Sequence, residues 1–402
     1  MSHKWSFLFI LLACLAWLSG CWSSEELTDL AIVSALALDK NEDGQYVGTY
    51  QVINAANIPG ALQGGAGGQS PSVTVYTATG DNQIEMLSRL TARISRKPYF
   101  AHTNLLIISE KLAEEEDISI TLDAMERGLE FRAASTAVIA RDIKAEDLAK
   151  VLTWVDQIPA EKIAKALEFI EQTNGSNIKT NIQEVIKSDT STGKEPLIGG
   201  FSMIGDAEKG IEMGNLQSTD LDANPEASGI AVFKEGKLVN WLDSEKARGS
   251  MWVLNRIQST PVNIEWENEE EAVAYQVIRE KTNVSAQIKA GKPTILVEVR
   301  AEGDVRSLKV PVEVTNPHVL LDMEKVVEAE IKEEIEAAVQ EAQENKADVF
   351  GFGDKMHQSY PKVWKTLESD WHDVSFPELD VEVKVEAFIR RTGMRNNPSF
   401  ND

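Results

Sequence analysis

The stretch ELDVEVKVEAFIRR, Glu378 to Arg391, alternates apolar and polar residues almost without a break. Leu379, Val381, Val383, Val385 and Ile389 fall on one side, and charged residues take most of the other. A period of two sends successive side chains to opposite faces, so this run predicts a strand with one face in a core and one in water. Upstream, PTILVEVRAEGDV from Pro293 and LKVPVEVT from Leu308 carry the same signature. It is the pattern of half-exposed antiparallel strands. Between these and the final strand the period changes to that of a helix. Val327, Ile331, Ile335, Val339 and Ala342 form an apolar stripe, with Glu328, Lys332, Glu333, Glu336 and Glu341 outside it. Asp322 is the expected cap. Residues 261–402 are therefore expected to be an α+β domain, an antiparallel sheet packed with a long amphipathic helix.

The first half reads differently. LAIVSALALD, Leu30 to Asp39, is apolar on both alternating faces, which predicts a strand buried on two sides. NEDGQ is a turn and YVGTYQVINA its hairpin partner; VTVYTATG, TNLLIISE and STAVIAR are further strands. Helices are expected at 82–95, capped by Asp81 with Ile84, Leu87, Thr91 and Ile94 on one face, and over ITLDAMERGLEFR, Lys144–Leu152 and Pro159–Gln172. Strands alternating with helices give a mixed α/β domain over 21–190. The Gly-rich loop from Gly60 to Ser72 lacks the lysine of a phosphate-binding loop. The polar run SDTSTGKEP, Ser188 to Pro196, marks a boundary. A small middle domain, 191–260, is expected beyond it, with a hairpin across Lys234-Glu235-Gly236-Lys237 and a helix capped by Ser244.

Chemistry is sparse. The chain has 402 residues and a net charge of -24, which repels phosphate backbones and sets nucleic acid aside as a partner. The histidines His102, His318, His357 and His372 lack HxxxH or HExxH spacing, so no metal site is expected. No GxSxG is present, and no Ser or Cys nucleophile has an identifiable base, so no catalytic residues or cofactor are expected. The acidic run EWENEEEA lacks the spacing of a calcium loop and reads as solvated. FGFGDKMHQSYPKVW, Phe350 to Trp364, looks most like a site. Core packing nonetheless accounts for every residue in it except His357: the glycines turn the chain at a helix end, Pro361 starts the next helix, and Tyr360, Trp364, Leu367 and Trp371 recur at helical spacing.

The N-terminus is more informative. Lys4 precedes an apolar core from Trp5 to Trp17, of signal-peptide length and short for a membrane span. Leu18-Ser19-Gly20-Cys21 follows and resembles the bacterial lipobox, in which the cysteine thiol receives diacylglycerol and the chain is cut just before it. Residues 1–20 would leave as a lipoprotein signal peptide, taking Cys14 with them, and Cys21 would carry lipid. Two or three acyl chains, at about 0.8 kcal/mol per buried CH₂, hold a protein firmly at a bilayer.

Taken together, GCWSSEELTDLAIVSALALDK, SRKPYFAHTNLLIISE, SGIAVFKEGKLVNWLDSEKARG, ADVFGFGDKMHQSYPKVWKTLESDW and VEVKVEAFIRRTG resemble the Ger(x)C family, the C-subunit lipoproteins of bacterial spore germinant receptors. The resemblance implies a three-domain mixed α/β lipoprotein on the outer face of the spore inner membrane. It implies A- and B-type receptor subunits as partners, nutrient sensing as the function, and no catalytic residue; only Cys21 carries over as a functional position. The outer face of the last strand, with Asp380, Glu382, Lys384, Glu386 and Arg390, is a candidate docking surface. A lipid-anchored solute-binding protein of a transporter is the alternative, disfavoured by the antiparallel pattern after Lys292, since such proteins have two doubly wound lobes. An envelope hydrolase would need two carboxylates brought together in a deep cleft.

Overall fold

The computed structural model describes residues 26–54, 70–128 and 131–392. The signal segment, Cys21 and most of the Gly-rich loop lie outside the described residues. Ten strands form one sheet: β1 (Leu30–Lys40), β2 (Tyr46–Ile53), β3 (Val73–Gly80), β4 (Lys97–Tyr99), β5 (Leu105–Ser109), β6 (Thr136–Ala140), β7 (Thr180–Asn181), β8 (Leu197–Gly205), β9 (Ala223–Lys234) and β10 (Lys237–Leu242). Four form a second: β11 (Thr260–Trp266), β12 (Glu269–Lys289), β13 (Lys292–Leu308) and β14 (Asp380–Arg391). The helices used below are α1 (Gln83–Thr91), α2 (Glu110–Glu115), α3 (Ile118–Gly128), α4 (Ala145–Lys150), α5 (Pro159–Thr173), α6 (Ile182–Asp189), α7 (Ala207–Gly210), α8 (Ser244–Val253), α9 (Pro317–Glu344), α10 (Phe352–Ser359) and α11 (Pro361–Leu367).

The large sheet runs β10-β9-β8-β6-β5-β1-β2-β3, with β4 beside β1 and β7 beside β6. Its central strands β8, β6, β5 and β1 are parallel, and antiparallel hairpins extend both sides. Helices cover both faces, which is why β5 and β6 are buried at every residue. On one face Met86, Leu112, Leu122 and Val185 pack on Leu36, Leu38, Leu106 and Ile108; on the other Leu148, Ile163 and Leu167 pack on Ala35, Ala37 and Ile107. The strands of the segment expected as a middle domain, 191–260, belong to this same sheet, and its helix α8 packs into the C-terminal core. The hairpin across Lys234–Lys237 is present. Glu235 and Gly236 both have positive φ, the two-residue turn whose twist suits paired strands.

Three expected helix starts move, two by one residue and one by six. Asn82, not Asp81, caps α1 by accepting from Glu85 N; the buried stripe is Gln83, Met86 and Leu90, and Ile84 is exposed. Asn316 caps α9 and Pro317 takes its first position, so Asp322 sits inside the helix, paired with Lys325. Asp243 occupies the position before α8, and Ser244 begins the helix. At α1 and α9 an Asn one position after, or six positions before, the expected residue supplies the capping oxygen, whereas Asp243 makes no capping bond and pairs with Arg141.

The C-terminal sheet is antiparallel through β11, β12 and β13, but β14 runs parallel to β13, Thr294 opposite Asp380. A period of two fixes which side chains share a face and says nothing of strand direction. Direction is set by the connection: α9, 28 residues long, spans about 42 Å and returns the chain to the start of β13. Met323, Val327, Ile331, Ile335, Ala338, Val339 and Ala342 are buried along α9, against a core that includes Ile295, Val297, Val299 and Ala301 of β13.

Inside the C-terminal core, which also takes in Ile230, Val232 and Leu242 of the large sheet, α8 crosses α9. A Cβ on Gly249 would lie 2.0 Å from the Glu334 carbonyl oxygen, so only glycine permits this approach. The Glu334 carboxylate, 2% exposed, accepts from Arg248 Nε at 2.9 Å on both oxygens, from Arg248 Nη2, and from Trp252 Nε1 at 2.9 Å.

Candidate functional site

The stretch with the strongest look of a site is a folded plug. Asp348 is fully buried. Its Oδ1 accepts from Gly351 N (2.9 Å) and Phe352 N (3.1 Å), and its Oδ2 from Gly353 N (2.7 Å) and Trp371 Nε1 (2.9 Å). Burial pushes its carboxyl up to about 6, opposed by those four donors. Gly351 has φ +75°, and a Cβ on Gly353 would lie 2.6 Å from Gly193 Cα, so both glycines are required by backbone geometry. Trp364 and Trp371 are buried edge to face at 5.1 Å, and His357 stacks on Trp364 at 5.9 Å. That stack accounts for the one residue core packing had left unexplained. His372 is also drawn in: Nδ1 accepts from Asp348 N at 3.4 Å, and Nε2 lies 3.8 Å from Glu195 Oε1. Burial holds the His372 imidazole below its usual range and pushes Glu195 up to about 7. Glu195 carried no sequence signal; it reaches His372 only because the 191–196 turn docks on the α9–α10 junction.

An open cleft of about 800 Å³ lies at the carboxyl ends of β1, β5 and β6. Ligands of open α/β sheets commonly sit at such ends. It is lined by Asp39, Glu42, Glu110, Glu114, Asp142 and Glu146 against Lys40, Lys111 and Lys144. Several of these acids already hold the fold. Asp39 accepts from Ala145 N (3.0 Å) and Glu146 N (3.1 Å) at the start of α4, and its carboxyl is raised by burial. Glu110 accepts from Trp241 Nε1 (2.6 Å) and from Asp142 N (2.8 Å). Ser109 accepts from Leu112 N at 3.3 Å as the cap of α2. Among the described residues, no group of three or more His, Cys, Asp or Glu side chains is placed to hold a metal ion.

The outer face of the C-terminal sheet is polar, as its alternation predicts. Its charges are largely paired in place: Glu382 with Lys289, Arg390 with Glu302 at 2.9 Å, and Lys384 and Glu386 exposed between them. Arg300 and Arg390 flank the Phe388 ring at 4.7 and 5.6 Å. Exposed pairs of this kind are screened by solvent and hold their partners weakly, so they leave the face available at little cost. The free edge of β14 is partly closed, because Glu328 accepts from Ala387 N (3.1 Å) and Glu324 from Ile389 N (2.8 Å). The acidic run at Glu265–Ala272 is the hairpin end of β11 and β12 and is mostly exposed. No helix among the described residues is long and apolar enough to cross a membrane.

Two sheets joined through a helix crossing, with one long helix returning the chain to a parallel last strand, match a solved fold. The crystal structure of the GerBC protein superposes with a TM-score of 0.54 over 88% of this chain and 96% of that one, at 19% identity. The family follows from the sequence comparisons. Residues 23–203 match the family described as spore germination protein N-terminal domain, and residues 228–393 match spore germination B3/GerAC like, C-terminal. Spore germination protein KC of Bacillus subtilis (strain 168) is 42% identical over 382 residues, 95% of this chain and 94% of the relative. Spore germination protein B3 of the same organism is 23% identical over 98% of both chains. The chain belongs to the GerAC-like family of spore germination proteins.

Proposed function

We propose that this chain is the lipid-anchored, non-enzymatic C-type subunit of a nutrient germinant receptor. It acts with A- and B-type membrane subunits on the outer face of the spore inner membrane to start germination. The observation that carries the reading is the near full-length similarity to spore germination protein KC. The lipobox-like Leu18-Ser19-Gly20-Cys21 supports cleavage before Cys21 and acylation of its thiol. Confinement to the membrane plane raises the local concentration of partners without any added contact.

Deleting the gene and challenging spores with a panel of amino acids and sugars tests the function; loss of the response to at least one nutrient is expected. Normal responses to all of them refute the reading. Mass spectrometry of the membrane-extracted chain tests the anchor, and a bare Cys21 terminus refutes it. The outer charges of β14 remain the proposed docking face. Reversing Lys384 and Glu386 together should weaken co-purification with the other subunits.

A further inference from the structure

Two features gather at the end of the large sheet where β1, β5 and β6 begin. The described chain enters there, from Glu26, five positions after Cys21, into β1 at Leu30. The first feature is basic. β4 pairs with the opening residues of β1, Lys97 opposite Leu30, which sets exposed Arg96 and Lys97 at this end. Arg132 is exposed in the turn just before β6, beside Asn104, whose carbonyl accepts from Thr136 N. These three stand against Glu26 and Asp29, in a chain whose net charge is -24. The carboxylate-rich cleft lies at the opposite end of the same strands.

The second feature is apolar. Trp154 is 63% exposed and Val155 is 91% exposed. Their loop is fixed at this end by two hydrogen bonds. Ser72 Oγ, at the foot of β3, bonds Gln157 Oε1 at 3.1 Å, and Gln51 Nε2, paired across from Ala35, donates to Ala149 O at 2.7 Å. A water-facing Trp beside a water-facing Val gains nothing from solvent. At a bilayer boundary an indole has an apolar layer for its ring and water or headgroups for its N–H.

We propose that this end of the sheet rests on an anionic phospholipid bilayer, Arg96 and Arg132 meeting headgroup phosphates and Trp154 and Val155 entering the interfacial layer. This rests on acylation of Cys21, because a tether of so few residues brings this end of the body to the surface. Charge then selects the orientation. The basic end is attracted to an anionic surface and the acidic end is repelled, which turns the cleft toward the aqueous side.

The test uses the acylated chain extracted from membranes and reconstituted into phosphatidylcholine vesicles containing one-quarter phosphatidylglycerol. Val155→Cys and, at the opposite end, Lys144→Cys each receive a fluorophore, and quenching by brominated lipid is read. Quenching several-fold stronger at position 155 than at 144 is expected. Charge reversal by Arg96→Glu with Arg132→Glu, at about fivefold in surface affinity per basic residue, should bring the two values together. Equal quenching on chains that float with the vesicles overturns the orientation and leaves the anchor intact. Chains that do not float overturn the anchor and this inference together. A label at 155 that is shielded only when other receptor subunits are added identifies a protein contact there and likewise overturns the proposal.

Discussion

Replacing Glu334 by alanine should be among the most damaging single changes in the C-terminal core. The carboxylate receives three hydrogen bonds from Arg248 and one from Trp252, all at the crossing of α8 and α9. Truncating one partner of a buried ion pair costs about 3–5 kcal/mol, because the other charge is left without compensation. A stranded buried N–H such as Trp252 Nε1 adds about 1–3 kcal/mol. Arg248 retains 19% side-chain exposure and one bond to Pro261 O, so water recovers part of the first figure. A total of about 3–5 kcal/mol is expected for Glu334→Ala. Glu334→Gln keeps the shape and the Trp252 bond and should cost less, about 2 kcal/mol, chiefly the charge on Arg248. The double change Arg248→Met with Glu334→Leu removes both charges and should recover most of the loss. Urea unfolding followed by tryptophan emission reads these values, since Trp252 lies at the site. If Glu334→Ala shifts stability by less than about 1 kcal/mol, the view that this pair locks the two helices is wrong.

The remaining predictions concern neighbouring features. Gly249→Ala forces a methyl to 2.0 Å from the Glu334 carbonyl and should lower the unfolding midpoint markedly, whereas Gly291→Ala, where no atom lies within 4 Å, tests only backbone strain and should cost less. Asp348→Ala orphans three backbone N–H groups and Trp371 Nε1 and should destabilise by about 3 kcal/mol or more, with red-shifted tryptophan emission; an unchanged spectrum would show that the loop holds without it. Glu280, half-buried beside Ile257 N and Thr282, has its carboxyl pushed up to about 8, chiefly by desolvation. The folded chain keeps that proton after the unfolded chain has released it. The contribution of Glu280 to stability is therefore fully present below about pH 4 and falls as pH rises, the loss being complete beyond about pH 8, at up to about 1.4 kcal/mol per pH unit. Glu280→Gln should flatten the slope between pH 5 and 8 in paired urea titrations; an unaltered slope would assign the titration elsewhere, Glu195 being the next candidate.

Much of this architecture is written in local pattern. The α9 stripe is visible because Val327, Ile331, Ile335 and Val339 repeat at four-residue steps and all four are buried. The β9–β10 hairpin is visible because Glu-Gly can supply two positive-φ residues. What could not be read depended on contacts distant in sequence. The parallel entry of β14 is decided by where a 28-residue helix delivers the chain. The burial of Glu195 and His372 depends on a loop some 150 residues away from α10 docking beside it. The face of α1 was misjudged because Gln83, polar by type, turns inward to donate to Thr121 O at 3.0 Å while Ile84 faces water. As for the candidate sites, the proposal of Cys21 rests on sequence alone, whereas the basic and tryptophan-bearing end required the sheet to set residues 96, 132 and 154 at one end of it.

β8 and β9 pair antiparallel from Leu197 opposite Val232 to Gly205 opposite Ala223. One family match ends at 203 and the other begins at 228, so the seam between the two matched segments runs through this ladder. Genes split at that seam would therefore yield halves whose severed strands expose unmet peptide groups, each half inclined to clump until it finds the other. Two matched segments thus share one sheet, and neither closes its edge without the other.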